Sequence, residues 1–109
     1  MSVVRGDATD WKPLAQPGTG IKVLHRDATS GASTFLLRLD AGARVPLHDH
    51  PGGEEVFVVE GGLRIGSHRL RAGDYLYTPP NEQHDAASDD GCVILVSTPQ
   101  PVRIVEPRA

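Results

Sequence analysis

The sequence predicts an all-β chain folded as an antiparallel barrel or sandwich, on three observations. Twelve Gly and nine Pro interrupt the 109 residues so often that no stretch free of both exceeds ten residues (21–30, 32–41 and 81–90). An average α-helix needs about 11–12 residues, so a helical domain has no segment to be built from. Apolar residues instead alternate with polar ones or run in short β-branched blocks. Turn chemistry recurs between those blocks at the spacing of about 8–12 residues typical of short antiparallel strands.

Taken in order, residues 1–20 place Pro13, Pro17, Gly18 and Gly20 around a lone Trp11. They are expected to form an extended lead-in over one barrel edge, leaving 21–109 as the barrel domain. A first strand is expected over 21–27. Across 32–40, Phe35, Leu37 and Leu39 alternate with Thr34 and Arg38, with Leu36 the exception, which turns the odd positions toward a core. The runs 56–59 and 92–96 are continuously apolar and rich in Val and Ile, as in strands covered on both faces. Strands are also expected over 73–78 and 102–105. Turns are expected at Gly52 and Gly53, at Gly61 and Gly62, at Pro79-Pro80-Asn81 and at Asp90-Gly91. Cys92, heading an apolar strand, reads as a buried inert thiol.

Composition excludes several classes of function. Net charge is −3 with an isoelectric point near 5.9, and the basic residues are scattered, which argues against a nucleic-acid or anionic-membrane surface. The longest apolar run, Cys92 to Val96, is far short of the roughly 20 residues that span a bilayer. One cysteine cannot form an internal disulfide, and the first residues lack a secretory leader pattern. The expectation is a cytoplasmic domain that takes a small-molecule ligand or substrate.

The residues that carry chemistry are His48, His50, Glu54 and His84. Two histidines at i and i+2 on a strand leave the same face and offer two lone pairs to one ion. Pro51-Gly52-Gly53 turns the chain, Glu54 opens the next strand, and His84 follows the turn at Pro79 to Asn81. Three imidazoles and one carboxylate make a mixed N/O shell suited to one divalent transition metal per chain: Fe, Zn, Ni, Mn or Cu. Glu55 rivals Glu54, because the turn can deliver either. His25 and His68 have no partner at ligand spacing and read as ordinary histidines. Asp49 and Asp85 stand beside ligands but face away by strand parity, so they are expected to be solvated, like Asp89 and Asp90.

Two segments then show a resemblance. Gly42 to Gly61, through His48, His50 and Glu54, resembles the first cupin motif, G-x5-H-x-H-x3–4-E-x6-G. Gly73 to His84, through Pro79, resembles the second, G-x5-P-x-G-x2-H, with Asn81 in place of its second Gly. Asn is the best non-Gly residue for a left-handed turn, so the substitution is tolerable. Ser88 stands where the motif ends in Asn, outside the ligand set. The resemblance implies a double-stranded β-helix, a jelly-roll-like barrel, with metal ligands His48, His50, Glu54 and His84. Glu54 is preferred because its spacings land on Gly61, although Glu55 with Gly62 also satisfies the pattern. The phrases 48–61, 73–80 and 88–92 are similar to the cupin domains of ChrR-type anti-sigma factors. Those proteins carry a helical sigma-binding domain for which 109 residues leave no room, so anti-sigma activity is not implied.

Three functions are compatible with such a site. The first is an enzyme resembling the family's small dioxygenases, acting on a small oxygen-containing organic substrate. The second is a non-catalytic metal-binding sensor of the ChrR-like type, and the third is a barrel stapled by a structural metal. Val56, Val58 and Ala86 are candidates for an apolar pocket wall, and Arg38, Tyr75 and Tyr77 for polar groups that orient a substrate. If Glu54, Val56 and Val58 face inward, Phe57 and Val59 face outward and form an apolar strip, for which a homodimer is the expected cover. The lead-in around Trp11 or the tail around Val102 and Ile104 could cross over to a partner. The alternative is that the lead-in folds back over the strip of its own chain.

Overall fold

The computed structural model describes residues 1–105. The expected barrel domain extends past them, and its residues 106–109 lie outside the described residues. Apart from a 3-10 turn at Gly6–Ala8, the described elements are strands: β1 (Lys12–Pro13), β2 (Thr19–Arg26), β3 (Ser33–Leu39), β4 (Arg44–Asp49), β5 (Glu54–Ile65), β6 (His68–Arg71), β7 (Tyr75–Thr78), β8 (Gln83–Ala87), β9 (Cys92–Thr98) and β10 (Arg103–Ile104). Every pairing is antiparallel, in the order β1-β2-β3-β9-β5-β8-β4-β10, with β6 and β7 added to β5. None of the described helical segments is long and apolar enough to cross a membrane.

β5 makes the sheet curl. Its first half pairs with β7 and β9, its second half with β6 and β8, so one strand passes from the first layer to the second. The passage is a bulge between Val58 and Glu60, which inserts a residue and bends the strand. Inward positions are even before it (Glu54, Val56, Val58) and odd after it (Leu63, Ile65). Gly61 and Gly62 therefore do not reverse the chain as a turn; they lie inside β5. Gly61 has φ +78°, and a Cβ there would stand 2.1 Å from the Gly91 carbonyl oxygen. Only glycine allows that crossing. The expected reversal at Pro79 to Asn81 does occur, with Asn81 at φ 68°.

Odd positions of β3 face the interior, where Leu39 is buried and Phe35 and Leu37 pack against the core. Leu39, Val56, Val58, Ile94 and Val96 form that core with Leu63, Ile65 and Ala86 from the other layer. Each fully buried aliphatic side chain contributes roughly 1.5–3 kcal/mol. Cys92 is buried among them, and burial pushes its thiol pKa up. The lead-in runs along one end of the sheet: Lys12–Pro13 pairs with β2, which begins at Thr19 rather than at 21. Trp11 lies against the outer face of β2 and β3, between Lys22 Nζ at 4.7 Å and the Arg38 guanidinium at 4.8 Å. It leaves Phe57 42% and Val59 49% exposed, so it does not cover the apolar strip. Val102 and Ile104 border the chain's own cavity, Val102 while remaining exposed.

Candidate metal centre

Local irregularity in β4 builds the site. Val45 borders the interior, and a register shift between Val45 and His48 resets the alternation so that His48 also faces inward. His50 follows at the same parity. His48 pairs across with His84 on β8, while Glu54 enters from β5 beside them. The three imidazole centroids lie 4.3–4.7 Å apart. One ligand atom from each of His48, His50, Glu54 and His84 falls within 4.8 Å of all the others. Glu54 Oε1 is 3.3 Å from His50 Nε2 and 3.6 Å from His84 Nε2. With metal–ligand bonds of about 2.0–2.2 Å, adjacent ligand atoms stand about 3–3.5 Å apart, so these separations suit a shared ion.

The backbone sets the tautomers. His48 Nδ1 is 2.8 Å from the Pro46 carbonyl and His50 Nδ1 is 2.8 Å from the Glu82 carbonyl. A carbonyl only accepts, so each Nδ1 carries the proton and each Nε2 keeps a lone pair directed at the cluster. His50 is fully buried, yet its Nε2 has no hydrogen-bond partner among the described residues, because the Glu54 carboxylate beside it is likewise an acceptor. An orphaned buried acceptor among three other ligating groups is the signature of a place for a cation. Burial lowers the His48 pKa, favouring the neutral ligand form. Burial pushes the Glu54 carboxyl up, but contact with His50 and His84 outweighs it and brings the pKa to about 2. For His50, burial acts downward and the Glu54 contact overrides it, leaving the pKa raised.

Glu55, one residue on, points to the outer face and accepts a hydrogen bond from the Tyr75 hydroxyl at 2.7 Å. Tyr75 and Tyr77 pair with Phe57 and Glu55 on that same face and are both 55% exposed, away from the cluster. Arg38 also faces outward, against Trp11. These three do not meet the site, since register places them opposite the inward residues. Val56 and Ala86 border the interior space, and Val58 is buried in the core.

Asp49 corrects the expectation of a solvated neighbour. It faces away from the cluster but is 5% exposed, because β10 pairs alongside β4 and Arg103 ion-pairs with it. That contact holds the Asp49 carboxyl below its usual range. Asp85 is half-buried and bonded to Arg64 at 3.1 Å, with its pKa lowered accordingly. Arg103 lies 54 residues from Asp49, and no local spacing pointed to the pairing.

The cluster opens onto a cavity of about 540 Å³ between the two layers. Phe35, Leu37, Ile94 and Val96 form one wall; Val45, Ile65 and Ala86 form the other; His48, Glu54 and His84 sit at its edge. A space of that size, largely apolar with a few converging polar groups, has the character of a small-molecule site.

Residues 1–101 match the family model of the ChrR cupin-like domain. The chain belongs to that family. This ChrR-like cupin is 30% identical over 95 residues to the anti-sigma-E factor ChrR of Cereibacter sphaeroides, spanning 85% of this chain but 43% of the relative's length. Among solved structures, a candidate acetylacetone dioxygenase of Methylibium petroleiphilum superposes with TM-score 0.90 at 25% identity, covering 98% of this chain and 82% of the other. Rhodobacter sphaeroides ChrR, solved in complex with SigE, superposes with TM-score 0.74 at 27% identity, covering 86% of this chain and 50% of the other. The all-β cupin fold is thereby shown, and the buried His/Glu cluster is one that can hold a metal ion.

Proposed function

We propose that this ChrR-like cupin is a metal-dependent, dioxygenase-like enzyme acting on a small oxygen-containing organic substrate. The observation that carries the reading is the continuity between the four-residue cluster and the apolar cavity. A structural metal needs no adjoining space, whereas a substrate does. Likeness to the Methylibium protein over nearly the whole chain supports the same choice.

His48, His50, Glu54 and His84 are the residues that would hold the ion. A redox-active ion held there would supply Lewis acidity toward a chelating substrate and a route for electrons to O₂. The chain's own contributions are positional. The Pro46 and Glu82 carbonyls fix the imidazole planes before anything binds, so little is reorganised on loading. Buried Glu54 stays ionised at neutral pH and offsets part of the ion's charge. The aliphatic walls exclude water and pack the substrate's carbon chain. The homodimer belongs to the same proposal: the exposed strip around Phe57 and Val59 is the face a second copy would cover.

The kinship with ChrR favours a second reading, a non-catalytic metal-binding sensor. Oxygen consumption separates the two. Iron-loaded protein supplied with acetylacetone and related ketones is expected to take up O₂ in proportion to substrate lost. Iron-loaded protein that retains its metal but consumes no O₂ with any of them favours the sensor.

A further inference from the structure

Two groups bordering the cavity take no part in the reading above: a cation and an unpartnered hydroxyl. Arg26 ends β2 and Ser33 begins β3, and the two are paired on the last rung of their hairpin. The connecting turn is pinned. Asp27 Oδ1 accepts the amides of Thr29 at 2.9 Å and Ser30 at 3.3 Å, and the Asp27 amide donates to the Ala32 carbonyl at 2.8 Å. Ser33 pairs in turn with Thr98, and Glu55 with Ser97, which sets Thr98 level with Glu54. Laterally paired residues share a face. Arg26, Ser33, Thr98 and Glu54 thus form one rung across four strands, and all four border the cavity.

The ends of that rung are complementary. At one end lies the carboxylate of the cluster. At the other, the Arg26 guanidinium has no ion pair or hydrogen bond among the described residues. The neighbouring Asp27 carboxylate is already engaged by turn amides. Beside Arg26, Ser33 Oγ is buried without a hydrogen-bond partner among the described residues. A native chain rarely leaves a buried hydroxyl unmatched unless something else completes it. Arg26 is also the permanently charged cation among the cavity-lining side chains. Its fork of donors matches a carboxylate.

We propose that Arg26 and Ser33 form a carboxylate-binding subsite, so that the substrate is a small organic acid carrying a chelating oxygen pair at one end and a carboxylate at the other. The inference rests on the metal-chelating reading above. With strands about 4.8 Å apart, three spacings put the Arg26 and Glu54 backbones about 14 Å from each other. A short carbon chain between the two ends of the ligand then lies against the apolar walls.

The test uses 4,6-dioxoheptanoate, its methyl ester and titration calorimetry on manganese-loaded protein. The acid is expected to bind at least about tenfold more tightly than the uncharged ester, the scale of a charge-assisted contact. Arg26→Gln should abolish that preference by weakening the acid far more than the ester; Arg26→Lys should restore part of it; Ser33→Ala should weaken the acid more than the ester. Equal binding of acid and ester to the unaltered protein, or a preference that survives Arg26→Gln, overturns the subsite while an ester that still binds leaves the chelating reading standing. Failure of both ligands to bind the loaded protein overturns both.

Discussion

Replacing Glu54 and, separately, Glu55 by glutamine isolates the carboxylate's role, because shape is conserved while charge is lost. Glu54 is 7% exposed, with Oε1 at 3.3 Å from His50 Nε2 and 3.6 Å from His84 Nε2. Glutamine there offers only an amide oxygen or an NH₂ group, which repels a cation. Losing a partner that merely orients a ligand typically lowers metal affinity about 10–100-fold, so losing Glu54 itself should lower it by at least about 100-fold. Glu55 faces solvent and among the described residues its carboxylate bonds to the Tyr75 hydroxyl alone, so Glu55→Gln should leave metal affinity within about twofold and stability within about 0.5 kcal/mol. Competition against a chromophoric chelator measures the affinities, and melting curves of the metal-free proteins show that both variants fold. Glu54→Gln binding within tenfold of the unaltered protein, or Glu55→Gln losing as much, would refute the assignment of faces.

Gly61→Ala would force a Cβ to 2.1 Å from the Gly91 oxygen at φ +78°; strain and overpacking together should cost about 2–6 kcal/mol and lower Tm by at least about 10 °C. Gly66→Ala, at φ +55° in open space, should lose only about 1 kcal/mol, and equal melting of the two would discredit the crossing at β5. Light scattering should give twice the 11.7 kDa chain mass for the unaltered protein and a shift toward the single chain for Phe57→Asp. A monomeric unaltered protein, or a folded dimeric variant, counts against an interface on that face. In metal-free protein the Glu54 pKa falls from 4.5 to about 2, so its stabilisation is present above pH 4.5 and lost as pH drops through about 2. Urea unfolding across that window should show a loss of about 3 kcal/mol that Glu54→Gln lacks; parallel curves would contradict it.

The sequence carried the local part of this account and hid the long-range part. Alternation in β3 and the apolar runs in β5 and β9 reflect side-chain direction on a strand, which is a local property. The ligand spacings were legible for the same reason: His48 and His50 share a face at i and i+2. Three bulges broke the rule, one of them between Val23 and His25 in β2. The one after Val58 inverts parity, so β5 continues through a glycine pair that reads as a turn. The one between Val45 and His48 turns the alternation of β4. Tyr75 and Tyr77 went to the outer face because their direction depends on register with β5, which spacing alone does not reveal, whereas the outward direction of Arg38 already followed from the alternation in β3. Burial of Asp49 depends on β10 arriving from 54 residues away.

Elemental analysis of protein purified without chelator or affinity nickel tests the central claim most directly, comparing the unaltered chain with the His48→Ala/His50→Ala double variant. The account predicts one divalent transition metal per chain in the unaltered protein at neutral pH and near none in the double variant. Stoichiometric metal retained after both histidines are removed would place the ion elsewhere and contradict it.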